Sequence, residues 1–164
     1  ESLSTVSELE TFPYYRWHHS VIVPANHPLE QEKRLTLKSI AQYPIVTYHH
    51  GFTGRASLDK TFGDAGLTPD IVMSALDADV IKTYVELGMG IGIVASMAFD
   101  KARDHALRLL KSAHLFEDNT TLIAVRKGHY LRGFAYRFIE LCEPALTEAA
   151  VREAIRPARD ADID

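Results

Sequence analysis

The stretch from Asp77 to Ala98 reads DADVIKTYVELGMGIGIVASMA and predicts a helix, a turn and a strand in direct succession. Apolar residues in its first half recur at helical spacing, whereas Lys82 and Glu86 are expected to face solvent. Gly88 stands where a left-handed helix cap belongs. The run from Gly90 to Met97 then has the Ile and Val content of a buried strand. The positions of this helix expected to face inward are Val80, Ile81, Tyr84, Val85 and Leu87.

The same alternation of short apolar runs with helical patterns extends in both directions along the chain. It is typical of an α/β domain with a largely parallel sheet. The predicted strands are Trp17–Val23, Pro44–Tyr48, Asp70–Leu76, Gly90–Met97 and Thr120–Val125. The other predicted helices are Thr36–Gln42, Gly54–Ala65, Tyr130–Cys142 and Thr147–Arg156. The polar start, followed by residues 11–15, resembles a hinge that crosses into a lobe rather than the start of a fold, so we expect the natural protein to extend upstream.

The composition limits the class of protein. The 164 residues are 46% hydrophobic and 24% charged, which is enough for one full lobe and part of another. The net charge is -4 and no basic stripe is present, so this chain alone is not expected to hold DNA. No apolar run approaches the ~20 residues of a membrane span, and the start lacks the pattern of a signal peptide. We therefore expect a cytoplasmic protein without a membrane partner.

The single cysteine, Cys142, cannot form an internal disulfide. The helical pattern around it predicts a buried thiol, with Cys142 on the same apolar face as Leu131, Phe134, Phe138 and Leu141.

Several motifs that suggest chemistry have simpler explanations. The Gly88–Gly92 run follows a helix and precedes a strand, which is the reverse of a dinucleotide-binding fingerprint. The pairs His18-His19 and His49-His50 are adjacent in strands and point to opposite faces, so no metal site is expected. No serine lies in a nucleophile elbow. The carboxylates of Asp77 and Asp79 are better explained as a helix cap and a partner of the helix dipole. No cofactor is expected.

The segment from Gly51 to Arg55 is the strongest candidate for a binding site. It joins a predicted strand to the helix that begins near Gly54, which places Thr53 at or beside the N-cap. Unpaired N–H groups and the positive end of the helix dipole attract anions there. No acid precedes Asp59 in this helix, and the glycines leave room for a ligand. A plain threonine cap beside a tight turn is the alternative. His50 could also line a ligand cleft or be a solvated strand end.

Four segments carry a resemblance to a known family. They are Phe52–Arg55, Ala65–Pro69, Asp77–Val85 and Leu87–Ala98, and Asn26–Leu29 and Trp17 add to it. The chain from about Tyr14 to Leu146 resembles the LysR-type transcriptional regulators, and within them the cysteine-regulon branch of CysB and Cbl. One departure is His49-His50, where CysB has Thr-Phe, and it leaves the choice of inducer open.

The resemblance implies a periplasmic-binding-protein-like (type 2) effector domain with a complete second lobe and part of the first. The implied divisions are residues 1–12 as a lead-in from the first lobe, 13–116 as the second lobe, 117–147 as the returning strand and helix of the first lobe, and 148–164 as the C-terminal helix and tail. The ligand would be sulfate, thiosulfate or an O- or N-acetylserine.

By the same resemblance, Thr53 of the Phe-Thr-Gly motif is expected to bind the ligand. Together with the reading of the loop from its own residues, the expected ligand-binding residues are His50, Phe52, Thr53, Gly54 and Arg55. The chain would catalyse nothing and would form homo-oligomers, a dimer or, at full length, a tetramer. It would reach DNA only through a separate N-terminal helix-turn-helix domain. Two alternatives remain at this point: a fragment of a solute-binding protein for transport, and a small α/β enzyme that acts on an anionic substrate at the Thr53 loop.

Overall fold

The computed structural model describes residues 6–52 and 54–156. Contacts divide the chain into two compact units, one formed by residues 17–119 and the other by residues 1–16 together with 120–164. None of the helices among the described residues combines the length and the apolar character needed to cross a membrane.

The larger unit is built on a five-stranded sheet in the order β4-β3-β5-β2-β6. Its strands are β2 (His19–Pro24), β3 (Ile45–Tyr48), β4 (Ile71–Ala75), β5 (Ile91–Ala95) and β6 (Leu107–Leu109). β3 runs parallel to β4 and β5, whereas β2 runs antiparallel to β5 and β6.

The sheet is therefore mixed, and the expectation of a largely parallel sheet was wrong for β2 and β6. Parallel neighbours need a long crossover connection, usually a helix. Helices α2 (Arg55–Asp64) and α3 (Ala78–Glu86) provide it between β3, β4 and β5, while no α-helix joins β5 to β6.

Local sequence explains where the helices of the larger unit begin and end. The short α1 (Leu37–Ile40) begins after Thr36, whose hydroxyl accepts from the Ser39 N–H in a capping box. Asp77 caps α3 by accepting from the Val80 N–H at 2.9 Å, which confirms the capping role expected of it. Gly88 follows α3 with a φ of 80°, as its position predicted.

Apolar side chains cover both faces of this sheet. The cluster on one face packs α2 against the strands and contains Val21, Val23, Leu29, Leu35, Ile40, Ile45, Leu58, Phe62, Ile91, Ile93 and Phe116. The cluster on the other face packs α3 and contains Ile22, Val46, Ala75, Ile81, Val85, Val94 and Leu107. Because successive side chains of β2 alternate between these clusters, the strand is buried on both sides.

Three expectations for α3 were wrong. Val80, which was expected to face inward, is 36% exposed in the first turn of the helix. Leu87 is 74% exposed, because the helix ends at Glu86 and the chain turns away there. Lys82 is buried, because its ammonium group forms ion pairs with Asp79 at 2.9 Å and Asp104 at 3.1 Å. The partner Asp104 is distant in sequence, so helical periodicity alone could not place this lysine.

The smaller unit contains a two-stranded sheet of β1 (Leu9–Trp17) and β7 (Asn119–Arg126), followed by helices α4 (Gly133–Cys142) and α5 (Glu148–Ala154). β1 occupies the segment that we expected to be a hinge. Pro13 lies within β1, and a two-stranded sheet has a free edge on each strand, where proline is tolerated. The buried core of this unit is Val125, Tyr136, Ile139, Val151 and Ile155.

The predicted burial on α4 was also wrong. Phe134, Phe138 and Leu141 are each at least 67% exposed, and Cys142 is half-buried. The helix instead turns Tyr136 and Ile139 into the core. Both faces of α4 carry apolar residues, so the sequence pattern did not distinguish the buried face from the exposed one.

Candidate ligand-binding site

The loop between β3 and α2 lies at the carboxyl end of a central strand. His49 donates from its backbone N–H to the Ala75 carbonyl at 2.9 Å, which ties the loop to the end of the neighbouring β4. Gly51 and Gly54 have φ values of 95° and 107°, which few residues other than glycine adopt. The carboxyl ends of parallel strands are the usual place for ligands in open α/β sheets. Thr53 lies outside the described residues.

Gly54 is the N-cap residue of α2, and among the described residues no side chain forms a capping hydrogen bond there. The cap therefore falls on Gly54, immediately after Thr53. The first turn of α2 carries no acidic residue, as the sequence indicated. The Leu58 N–H makes the first intrahelical bond, to the Gly54 carbonyl at 2.9 Å. The N–H groups of Ala56 and Ser57 precede it, where an α-helix provides no acceptor of its own.

Arg55 is buried, with 5% of its surface exposed, and its guanidinium group binds within the protein. Nε donates to Asp59 Oδ1 at 2.8 Å and Nη1 donates to the Tyr48 carbonyl at 2.8 Å. Nη2 lies 3.1 Å from Nε2 of His50. All three guanidinium nitrogens thus contact protein groups, and Arg55 holds the end of β3 against the first turn of α2.

His50 completes this cluster from the loop. Its Nδ1 lies 3.5 Å from Asp59 Oδ2, while its Nε2 faces the Arg55 guanidinium. Since an arginine can only donate, Nε2 of His50 accepts from Arg55, which leaves Nδ1 to face Asp59. The side chain of His50 is 70% exposed, and Phe52 is 45% exposed. Both side chains are therefore accessible from solvent at this loop.

Sequence reasoning missed His19 as a residue of this region. His19 begins β2 and pairs with Ala95 at the end of β5. Because β2 is antiparallel to β5 and β3 is parallel to it, the start of β2 lies at the same edge of the sheet as the end of β3. The pairing of distant strands, rather than any local motif, brings His19 to the start of α2.

The His19 side chain is enclosed by aromatic rings and by the bare Cα of Gly54. Its ring centroid lies 5.1 Å from that of Trp17 and 5.9 Å from that of Phe116, each with edge-on geometry. A Cβ on Gly54 would come within 2.9 Å of His19 Cε1 and Nε2, and within 3.0 Å of Trp17. Close packing therefore requires glycine at position 54, in addition to its backbone angle.

Burial makes His19 a neutral residue at physiological pH. Desolvation, and then repulsion from His18, lowers the pKa of the His19 imidazole from 6.5 to about 4. His19 is only 1% exposed, and among the described residues its Nε2 has no hydrogen-bond partner.

The other histidine pair, His49 and His50, lies in the loop after β3. The rings of His49 and His50 are 6.2 Å apart between centroids. Within residues 6–52 and 54–156, no group of three or more histidine, cysteine or acidic side chains is arranged to hold a metal ion.

Comparison with known proteins identifies the class. The family model of the LysR substrate binding domain matches residues 2–147. The HTH-type transcriptional regulator SsuR of Burkholderia cenocepacia is 53% identical over 158 residues, which are 96% of this chain and 51% of SsuR. The HTH-type regulator CysB of the same organism is 47% identical over 156 residues, covering 95% of this chain and 50% of CysB. The chain spans about half the length of the curated relatives it matches.

A solved structure agrees with these relatives. The crystal structure of the cofactor-binding domain of the Cbl transcriptional regulator superposes with a TM-score of 0.86 at 45% identity, covering 94% of this chain and 68% of that one. The fold and the relatives define an effector-binding domain of a transcriptional regulator, with a mixed α/β fold of the periplasmic-binding-protein type. The chain belongs to the LysR substrate-binding-domain family and resembles the SsuR, CysB and Cbl regulators within it. These relatives are regulators rather than enzymes, which confirms that expectation.

Proposed function

We propose that this chain is the inducer-binding part of a cytoplasmic transcriptional regulator of sulfate assimilation and cysteine biosynthesis. Its ligand is a small anion such as sulfate or thiosulfate, or an acetylserine. It binds at the loop from His50 to Arg55, against the start of α2.

The observation that carries the proposal is the start of α2, where no side-chain cap is found among the described residues. Gly54 provides no side chain to accept from the first-turn N–H groups, and no carboxylate stands near them in that turn. An oxyanion satisfies such donors and interacts favourably with the helix dipole. The similarity to SsuR and CysB supports the regulatory role.

Among the five predicted ligand residues, Phe52 and His50 are accessible for contact, and Gly54 lacks the Cβ that would overlap His19 and Trp17. Arg55 acts by holding the loop, since its guanidinium group already binds Asp59, Tyr48 and His50. Thr53 is proposed as the side-chain hydroxyl donor to the ligand. Because Gly54 is the N-cap residue, Thr53→Ala removes a hydroxyl without replacing the residue at the cap.

DNA binding and oligomer formation belong to the proposal for the whole regulator. A helix-turn-helix domain would contact the promoter, and the ligand would shift lobe closure and subunit packing because it favours one state energetically. The 164-residue chain carries a net charge of -4, so alone it should not retain promoter DNA in a mobility assay.

A ligand panel tests the proposal. Calorimetric titration of the chain with sulfate, thiosulfate, O-acetylserine and N-acetylserine should find saturable one-site binding of at least one compound, with chloride at equal ionic strength as the control. Absence of binding by all four compounds would contradict the proposal, and so would catalytic turnover of a bound compound.

A further inference from the structure

The His19 imidazole carries a polar atom for which the described part of the chain provides no partner. His19 is 1% exposed, and Nε2 is the buried side-chain atom left without a hydrogen bond among the described residues. Buried polar atoms are otherwise almost always paired. The rings of its neighbours Trp17 and Phe116 lie at 69° and 66° to the imidazole plane, and neither side chain has an oxygen or nitrogen that accepts a hydrogen bond.

The position of this atom relates it to α2. Nε2 would stand 2.9 Å from a Cβ on Gly54, so the ring edge faces the backbone at the N-cap of the helix. The imidazole nitrogen without a partner and the helix start without a side-chain cap, both as seen among the described residues, are independent features, and they meet at the same edge of the sheet. A ligand oxygen at the start of α2 would satisfy both.

The charges of Arg55 and His19 determine which ligand groups the N-terminus of α2 can bind. Arg55, the cation of the first turn, is directed into the protein by its three hydrogen bonds. His19 is held neutral by burial, so it can donate a hydrogen bond without adding a positive charge. The donors are therefore uncharged.

We propose that His19 Nε2–H donates a hydrogen bond to an oxygen of the ligand at the N-terminus of α2, so that the site recognises a sulfur oxyanion or carboxylate through neutral donors. This inference rests on the proposed function and adds a residue that determines ligand affinity and specificity. It also explains why position 54 must be glycine, because a Cβ there would separate the imidazole from the helix start.

Nitrogen NMR of the unaltered chain tests the contact directly, with sulfate as the probe. Titration with sulfate should shift the Nε2 resonance of His19 in proportion to saturation. His27 is the internal control, because its Nδ1 already accepts from the Leu29 N–H at 3.2 Å as a helix cap. A His19 signal that stays constant at saturating sulfate would overturn the inference.

Two substitutions measure the contribution of the hydrogen bond. His19→Phe keeps an aromatic ring and removes the donor, so sulfate affinity should fall by about tenfold or more. His19→Gln carries an amide group near the place of Nε2 and should bind sulfate within about threefold of the unaltered chain. His18→Gln, one residue away, is the matched control and should bind normally.

The outcomes separate this inference from the function it rests on. If sulfate binds the unaltered chain, His19→Phe and His19→Gln equally, then His19 is only a packing residue and the proposed function stands. If the phenylalanine variant does not fold, the glutamine variant and the NMR titration decide. Failure of sulfate, thiosulfate and both acetylserines to bind the unaltered chain would remove the proposed function and this inference together.

Discussion

The imidazole of His19 packs directly against the Cα of Gly54, so closely that a methyl group on Gly54 would lie 2.9 Å from Nε2 and Cε1 of the ring. This contact joins the first residue of β2 to the N-cap of α2. It is the structural basis of the candidate site, because it fixes the helix start beside a buried neutral donor.

Gly54→Ala should destabilise the chain by at least about 2 kcal/mol. The φ of 107° is strained for alanine, and the added Cβ overlaps His19 and Trp17. Gly63→Ala is the matched control, because Gly63 lies within the same helix with open space around its Cα, and that change should be neutral or stabilise by up to about 1 kcal/mol. Urea unfolding measures both. Equal stability of the two variants would show that the packing at Gly54 is unimportant.

Stability should fall with acid in a way that depends on His19. Its pKa is about 4 in the folded chain against 6.5 when unfolded, so the unfolded state takes up the proton first. The contribution of His19 to the free energy of unfolding is complete above about pH 6.5. It is lost as the pH falls toward 4, and the loss amounts to up to about 3 kcal/mol. The titratable neighbour that also lowers the His19 pKa is His18. The other residues around the ring, Trp17, Gly54 and Phe116, do not titrate.

The measurement compares urea unfolding of the unaltered chain and of His19→Gln between pH 4 and 7. The difference in unfolding free energy between the two should shrink as the pH falls, because glutamine takes up no proton. A difference that is constant with pH would mean that His19 is not held neutral by burial.

The buried ion pair of Lys82 and Asp104 should contribute more to stability than a surface pair. Lys82 Nζ also donates to the Ala98 carbonyl at 3.1 Å, and both charged side chains of the pair are about 9% exposed. Burial lowers the lysine pKa, but the hydrogen bonds and charges of Asp79 and Asp104 outweigh it and raise that pKa above its ordinary value.

Lys82→Ala should therefore cost about 3 kcal/mol, because it leaves the Asp104 carboxylate buried without its partner. The control is Lys60→Ala, which breaks the exposed pair with Asp64 and should change the stability by less than about 1 kcal/mol. Denaturant midpoints of the two variants decide the matter. A cost at Lys82 no larger than that at Lys60 would contradict the structural role.

The exposed apolar face of α4 should promote self-association. Tyr130, Phe134 and Phe138 are 79%, 73% and 67% exposed and line an apolar groove beside β7. Large exposed apolar patches mark sites of association. Light scattering of the chain should show concentration-dependent dimers or larger species, and Phe138→Glu should shift them toward monomer. A strict monomer at high concentration would refute this prediction.

The sequence predicted the centre of the larger unit well and its long-range contacts poorly. Residues 77–98 specified α3, its Asp77 cap, the Gly88 turn and β5, because each depends on local periodicity and backbone preference. The direction of the strands was harder to predict, since no residue pattern within β2 indicates that it runs antiparallel to β5. The same limit hid Lys82, whose partner Asp104 is 22 residues away.

The candidate site contains both kinds of feature, those set by adjacent residues and those set by long-range contacts. The loop after β3 and the acid-free start of α2 follow from a few adjacent residues, so the sequence could point to them. His19 is 35 residues before Gly54 and reaches it only through the order of strands in the sheet. Its burial and its unpaired nitrogen are properties of that tertiary packing, which no local pattern records.

The most direct test of the central claim is calorimetric titration with sulfate of the unaltered chain, Thr53→Ser and Thr53→Ala. The serine variant keeps the hydroxyl and should retain binding within about threefold, whereas the alanine variant should lose about tenfold or more, the contribution of one hydrogen bond to a charged ligand. Unfolding of each variant in urea verifies that the fold is intact. Equal sulfate affinity in all three proteins would contradict the assignment of this loop as the ligand site.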